Sequence, residues 1–176
     1  MRRREAIQRA ALMMGGILSA PTLAGAMGRV INKGPSLLVT PQQEALLADV
    51  ADVIIPTTTT PGAKAAGAEK FIIRVMRDCY PADEQTAFYA SLDKLATAGK
   101  TKFGKEFASL DDAQKIEIVR QTMTDDKAFF LRMKELTTTG YFTSEIGATQ
   151  ALAYLPVPGK FEACIPLKPG QKAWAL

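Results

Sequence analysis

The stretch TPQQEALLADVADVIIP, residues 40–56, contains the start, the apolar face and the end of one predicted helix. Thr40 is an N-cap residue, Pro41 suits the first helical position and Gln43 occupies the third. Pro56 cannot continue a helix and ends this one. The apolar residues between these signals recur at helical spacing through Ile55: Leu46, Leu47, Val50, Val53 and Ile54. The stretch therefore predicts an amphipathic helix with one face in a core.

Four more apolar-periodic stretches follow, and they predict helices over 71–79, after Pro81, over 110–122 and over 127–137. The side chains expected in the core are Phe71, Ile72, Val75, Met76, Phe88, Leu92, Leu95, Ile116, Val119, Phe130, Met133 and Leu136. Beyond Gly140 the pattern changes to short motifs rich in proline, and no strand pattern or internal repeat occurs. The predicted fold class is all-α: residues 40–176 form a single compact helical domain with an extended Pro-rich C-terminal tail.

The first 26 residues are typical of an export signal. Arg2, Arg3 and Arg4 precede an apolar run over 10–23, and small residues, Ala24 and Ala26, end it where a signal peptidase cleaves. The alternative is a membrane anchor, but the apolar run is shorter than the roughly 20 residues of a spanning helix. Residues 27–39 are then a tether, and the expected location is the periplasm.

The pair Arg3-Arg4 resembles the twin-arginine export signal, which carries proteins that are already folded. Ala6 and Gln8 stand where that signal usually has a bulky apolar residue and a lysine. General secretion, which also begins with basic residues, is the alternative route.

The net charge of the chain argues against nucleic-acid binding. The chain's formal charge is +4, of which the segment through Ala26, with four arginines and Glu5, accounts for +3 and leaves about +1. A nucleic-acid-binding surface needs a concentrated basic face, so no nucleic-acid partner is expected.

The chain contains no histidine, which removes the usual general base and the commonest zinc and haem ligand. Carboxylate catalysis would need an acidic pair, but Asp83-Glu84, Asp111-Asp112 and Asp125-Asp126 each stand where a helix is predicted to start. Ser109 with Asp112 three residues later suggests a capping box. We expect no catalytic, cofactor or metal site in this chain.

The two cysteines, Cys79 and Cys164, are expected to form a disulfide, since exported proteins meet an oxidising environment. Such a bond would fix the tail to the helical domain. Two buried thiols, or a bridge from one cysteine to a partner subunit, are the alternatives.

A partner-binding surface is predicted where aromatic side chains stand on stiff backbone. Gly140, Tyr141 and Phe142 follow the predicted end of a helix, and Tyr154, Pro156 and Pro158 form an extended run. The alternative is that Tyr141 and Phe142 close the bottom of the helical core.

Several motifs in order resemble the gluconate 2-dehydrogenase subunit 3 family. Besides residues 40–56, they are Thr60-Pro61-Gly62-Ala63, Ala66-Gly67-Ala68, Phe71-Ile72, Phe103-Gly104-Lys105, Phe129-Phe130, Gly140-Tyr141-Phe142-Thr143-Ser144, Pro156-Val157-Pro158-Gly159 and Cys164-Ile165-Pro166-Leu167. The resemblance spans residues 40–167.

The resemblance implies a non-catalytic small subunit that accompanies a large flavin-dependent dehydrogenase of the glucose-methanol-choline type, acting on sugars or sugar acids. FAD is then expected in the large subunit and not in this chain, and a cytochrome subunit is a possible further partner. The small subunit would supply the export signal and stabilise the large one. It would meet a membrane only through the complex or an uncleaved signal. A free-standing periplasmic enzyme using Asp or Glu, or a ligand-binding domain, is the alternative.

Overall fold

Five α-helices follow one another in the computed structural model, which describes residues 38–154, 159, 164, 166 and 168–174. The helices are α1 (Pro41–Ile54), α2 (Ala68–Cys79), α3 (Ala82–Phe103), α4 (Asp112–Asp125) and α5 (Lys127–Phe142). A 3₁₀ turn, Phe107–Ser109, precedes α4, and a π-helical turn, Gly147–Ala151, follows α5. The predicted export signal, with Arg3, Arg4, Ala24 and Ala26, lies outside the described residues, as does the tether up to residue 37.

The first helix begins as the sequence predicts. The Gln43 backbone N–H donates to Thr40 Oγ1 and the Thr40 N–H donates to Gln43 Oε1, both at 3.2 Å. Pro41 occupies the first turn, where its missing N–H costs nothing. This reciprocal capping box satisfies two backbone donors that the helix itself leaves unpaired.

Helix α1 lies at the centre of the domain and packs against all four other helices. Leu47 and Ala51 are fully buried, and Val50 is 1% exposed. The alanines on this face, Ala48 and Ala51, have short side chains that allow neighbouring helices to approach closely. Because α1 contacts four other helices, burial of its apolar face stabilises its packing against all of them.

The core around α1 contains most of the residues that the sequence places there. Ile72, Met76, Leu92 and Met133 are buried to 1% exposure or less. Phe88 packs edge-on against Tyr89 at 5.5 Å between ring centroids and against Phe129 at 5.1 Å. Burial raises the pKa of Tyr89 to about 12, so its hydroxyl stays protonated at neutral pH.

One of the predicted core positions, on α4, is wrong by a small helical rotation. On α4, Ile118 is fully buried whereas Ile116 is 42% exposed, since the helix turns Ile118 and Val119 toward its neighbours. On α5, Phe129 is buried and its neighbour Phe130 is half-buried. Adjacent apolar residues leave the direction of a helix face undecided until the neighbouring helices fix it.

The acidic pairs lie at helix starts, as predicted. Asp126 caps α5 by accepting from the Phe129 N–H at 3.1 Å, and Asp83 and Glu84 lie in the first turn of α3. The capping box of α4 is built from Asp111 and Gln114, not from Ser109 and Asp112. Ser109 is instead the last residue of the 3₁₀ turn, which moves the helix start two residues along the chain.

The predicted all-α fold class and compact helical domain are confirmed. Among the described residues β-pairing is limited to one isolated parallel bridge between Ala153 and Trp174. No helix in this part of the chain has the length and apolar character needed to cross a membrane.

Replacing Leu47 with alanine should lower the free energy of unfolding by about 3–5 kcal/mol, because it opens a cavity in the central contact of the domain. Leu131, 51% exposed on α5, provides the matched control. Leu131→Ala should cost less than about 1 kcal/mol in the same urea titration. Equal losses for the two variants would contradict the central position of α1.

Candidate partner-binding site

Helix α5 continues through Gly140 to Phe142, five residues beyond its predicted end at residue 137. Glycine is required at position 140 because the ring of Phe71, on α2, lies over it. A Cβ at this position would stand 2.9 Å from Phe71 Cδ1. Gly140 therefore marks a close contact between α2 and α5 and not the end of a helix, and this contact corrects the sequence-based interpretation.

The extended helix carries Tyr141 into the core, where its side chain is 2% exposed. Its hydroxyl donates to the Pro61 carbonyl oxygen at 2.8 Å and lies 3.4 Å from Thr60 Oγ1. Tyr141 thus fixes the threonine-rich loop between α1 and α2 to the end of α5. Of the two alternatives for Tyr141, burial in the core is the one that the structure shows.

The loop held by Tyr141 is tightly packed. The Gly62 N–H donates to Thr57 Oγ1 at 2.9 Å. A Cβ on Gly62 would approach Asp52 Oδ1 to 2.6 Å and the Thr57 nitrogen to 2.7 Å. Its backbone therefore fits against the end of α1 only without a side chain.

The chain leaves α5 through a turn that also depends on glycine. Ser144 Oγ donates to the Tyr141 carbonyl oxygen at 2.6 Å and accepts from the Gly147 N–H at 3.0 Å. A Cβ on Gly147 would lie 1.9 Å from the same carbonyl oxygen. This close approach fixes the π-helical turn against the last residues of α5.

Phe142 and Tyr154 lie on the surface of this end of the domain, with 40% and 58% of their area exposed. The Phe142 ring meets Tyr141 edge-on at 5.1 Å, so its position is set by a buried neighbour. The predicted partner-binding residues therefore divide: Gly140 and Tyr141 are buried, whereas Phe142 and Tyr154 are accessible. Pro156 and Pro158 lie outside the described residues.

Sequence reasoning missed Trp174, the single tryptophan of the chain. The Ala153 N–H donates to the Ala173 carbonyl oxygen at 2.7 Å, and the bridge between Ala153 and Trp174 places Trp174 beside Tyr154. Its side chain is 56% exposed. A lone tryptophan in a polar tail was the available signal, but its neighbours could not be known from the sequence.

The structure does not support the predicted disulfide. Cys79 and Cys164 are both exposed free thiols. Cys79 closes α2 at the surface, and the described tail residues meet the domain through Ala153, Gln150 and their partners instead. The tail is therefore attached by backbone pairing at its far end, without a covalent bond to α2. The alternative of two buried thiols is also wrong, because both cysteines are exposed.

The described residues include no cluster of three or more metal-binding side chains. A groove of about 320 Å³, lined by residues of α3 and α5 and by Met76 and Tyr80, contains a hydroxyl–carboxylate pair, Ser91 with Asp126. Asp126 Oδ2 accepts from the Ser91 hydroxyl at 2.7 Å while its Oδ1 caps α5. Across the groove, Arg132 stacks on Tyr80 at 4.6 Å and donates a hydrogen bond to its hydroxyl. Both oxygens of Asp126 thus serve the fold.

Replacing Tyr141 with alanine should lower the free energy of unfolding of the isolated chain by about 3–5 kcal/mol, because a buried ring and its hydrogen bond to the loop are lost. Phe142→Ala, at the next position, should cost about 1 kcal/mol or less. Urea denaturation followed by circular dichroism measures both. A larger loss for Phe142→Ala than for Tyr141→Ala would reverse the assignment of core and surface.

No curated protein and no solved structure shows a significant match to this chain. The family model described as gluconate 2-dehydrogenase subunit 3 matches residues 41–159. The match begins at the first residue of α1 and extends beyond the π-helical turn, so it includes the helical core and most of the end of the domain described above. The chain belongs to the gluconate 2-dehydrogenase subunit 3 family, whose members are subunits of a dehydrogenase complex.

Proposed function

We propose that this chain is the non-catalytic small subunit of an exported flavin-dependent dehydrogenase of the glucose-methanol-choline type that oxidises a sugar or sugar acid. It stabilises the large catalytic subunit and supplies the export signal for the complex. The large subunit holds FAD, and a cytochrome subunit is a further candidate partner. The family match over residues 41–159 is the observation that carries the proposal.

The arrangement of the domain supports a role as a partner. Asp111 and Asp126 cap helices and the Asp83-Glu84 pair lies in the first turn of α3, which agrees with the helix-start interpretation of the acidic pairs. The core is organised around α1 and contains its own capping and packing interactions. Three aromatic side chains, by contrast, remain exposed: Phe142, Tyr154 and Trp174.

Purification of the complex from its native host through a tag on this chain tests the proposal. We expect a large subunit to co-purify in equal amount, with the absorbance spectrum of FAD and sugar-dependent reduction of a dye. The full chain produced alone should show neither the flavin spectrum nor sugar oxidation. A stoichiometric flavin or sugar oxidation in the chain produced alone would overturn the non-catalytic assignment.

Export should depend on the arginine pair. Replacing Arg3 and Arg4 with lysine keeps the charge but removes the pattern that the twin-arginine route reads, so both this chain and the flavin subunit should remain in the cytoplasm. Cell fractionation and immunoblotting measure the distribution. Arg2→Lys is the matched control and should leave export unchanged. Normal export of the double variant would indicate general secretion.

A further inference from the structure

Phe142, Tyr154 and Trp174 are the exposed aromatic side chains among the described residues, and we call these three together the aromatic platform. Continuous backbone contacts connect its members. Gly147 packs against Phe142, since a Cβ on Gly147 would stand 3.0 Å from Phe142 Cα. The Gly147 carbonyl oxygen accepts a hydrogen bond from the Leu152 N–H at 2.9 Å. Ala153 then pairs with Trp174, and Tyr154 follows directly. The three residues thus stand on backbone segments that contact one another.

The platform differs from the other aromatic positions of the helices. Phe88, Tyr89, Phe107, Phe129 and Tyr141 are at most 7% exposed and Phe71, Tyr80, Phe103 and Phe130 are half-buried, whereas the platform residues are 40–58% exposed. Exposure of three large aromatic side chains on connected backbone segments is costly in water and is characteristic of a surface that another protein covers. Tryptophan and tyrosine are also the residues most enriched among the side chains that dominate binding energy.

The backbone beneath the platform is fixed before any partner arrives. Ser144, Gly147 and Tyr141 lock the exit from α5 through hydrogen bonds and a close contact. Lys172 donates to the Gln150 carbonyl oxygen, and the Lys168 N–H donates to Gln171 Oε1 at 3.0 Å. Pre-ordered aromatic anchors lose little conformational entropy on binding, which favours affinity.

The charged residues near the platform indicate the chemistry of the partner surface that would cover it. Residues 168–174 contain two lysines, Lys168 and Lys172, and no acidic residue. The nearby turn adds a single acidic residue, Glu145. A complementary partner would therefore present an apolar recess bordered by carboxylates.

We propose that the aromatic platform, with Trp174 as its central anchor, is the surface through which this chain binds the flavin-containing catalytic subunit. This inference rests on the proposed function, because family membership supplies a dehydrogenase subunit as the occupant. A second copy of this chain would bring the same patch, with two lysines and one glutamate, to each side of the interface, and this like net charge disfavours self-association.

Binding of the purified catalytic subunit to the full chain tests the platform. Trp174→Ala should raise the dissociation constant by about 30-fold or more, the size expected for a dominant anchor residue. Leu131→Ala, which removes an equally exposed apolar side chain near the start of α5, should leave it within about threefold. Both variants should keep the melting temperature of the parent chain. Lys168→Glu should slow association, and the effect should weaken in high salt.

A single tryptophan also allows the contact to be observed directly. The chain labelled with 5-fluorotryptophan should give one ¹⁹F resonance that shifts and broadens when the unlabelled catalytic subunit is added. An unchanged resonance in a complex that has formed would place the interface elsewhere and overturn the platform.

The outcomes separate the two proposals. If the unmodified chain does not bind the flavin subunit, the proposed function fails and the platform assignment fails with it. If the unmodified chain and Trp174→Ala bind the subunit equally well, the platform is wrong and the proposed function stands. A change in the chain's own oligomeric mass on Trp174→Ala, without loss of binding, would assign the platform to self-association instead.

Discussion

Burial of one face of α1 is the constraint on which the rest of this structure depends. The helix contacts every other α-helix of the described domain, and Leu47, Val50 and Ala51 are almost completely removed from water. Apolar burial is the main favourable term in folding, and it is largest where one element meets several others. The capping box at Thr40 and Gln43 fixes where this helix begins, and therefore which of its residues face inward.

The end of α5 joins this core to a surface through a short series of close contacts. Gly140 allows α5 to pack on Phe71. The helix continues past this contact, and the next residue, Tyr141, is buried. Tyr141 then holds the loop between α1 and α2, while its carbonyl oxygen organises Ser144 and Gly147. Phe142, the next residue after Tyr141, is instead exposed to solvent. Core stability and the display of aromatic rings thus depend on adjacent positions of one helix.

Much of the helical architecture could be predicted from the sequence, because periodicity and end signals act locally. The start of α1 at Thr40 and the acidic starts of α3 and α5 follow from residues within a turn of each other. The choice between Ile116 and Ile118 could not be made in this way, since it depends on how α4 meets its neighbours. The close contact of α5 with Phe71 could not be predicted either, because Phe71 is 69 positions away along the chain from Gly140.

The site was less predictable than the fold for the same reason. A glycine followed by two aromatics is compatible with both a helix end and a tight helix contact, and only Phe71 decides between them. Trp174 became part of the site through pairing with Ala153, a contact between residues 21 positions apart along the chain. The expected bond between Cys79 and Cys164 rested on cellular location and not on geometry, and the geometry leaves both thiols free.

Amide hydrogen exchange of the full chain, alone and bound to the flavin-containing subunit, tests the central claim most directly. The claim is that a self-sufficient helical core presents a separate binding surface at the end of α5. It predicts strong protection of α1 in both states, and protection gained on binding around Phe142, Tyr154 and residues 168–174. Rapid exchange of α1 in the free chain, or gained protection confined to the opposite end around Tyr80 and Arg132, would contradict it.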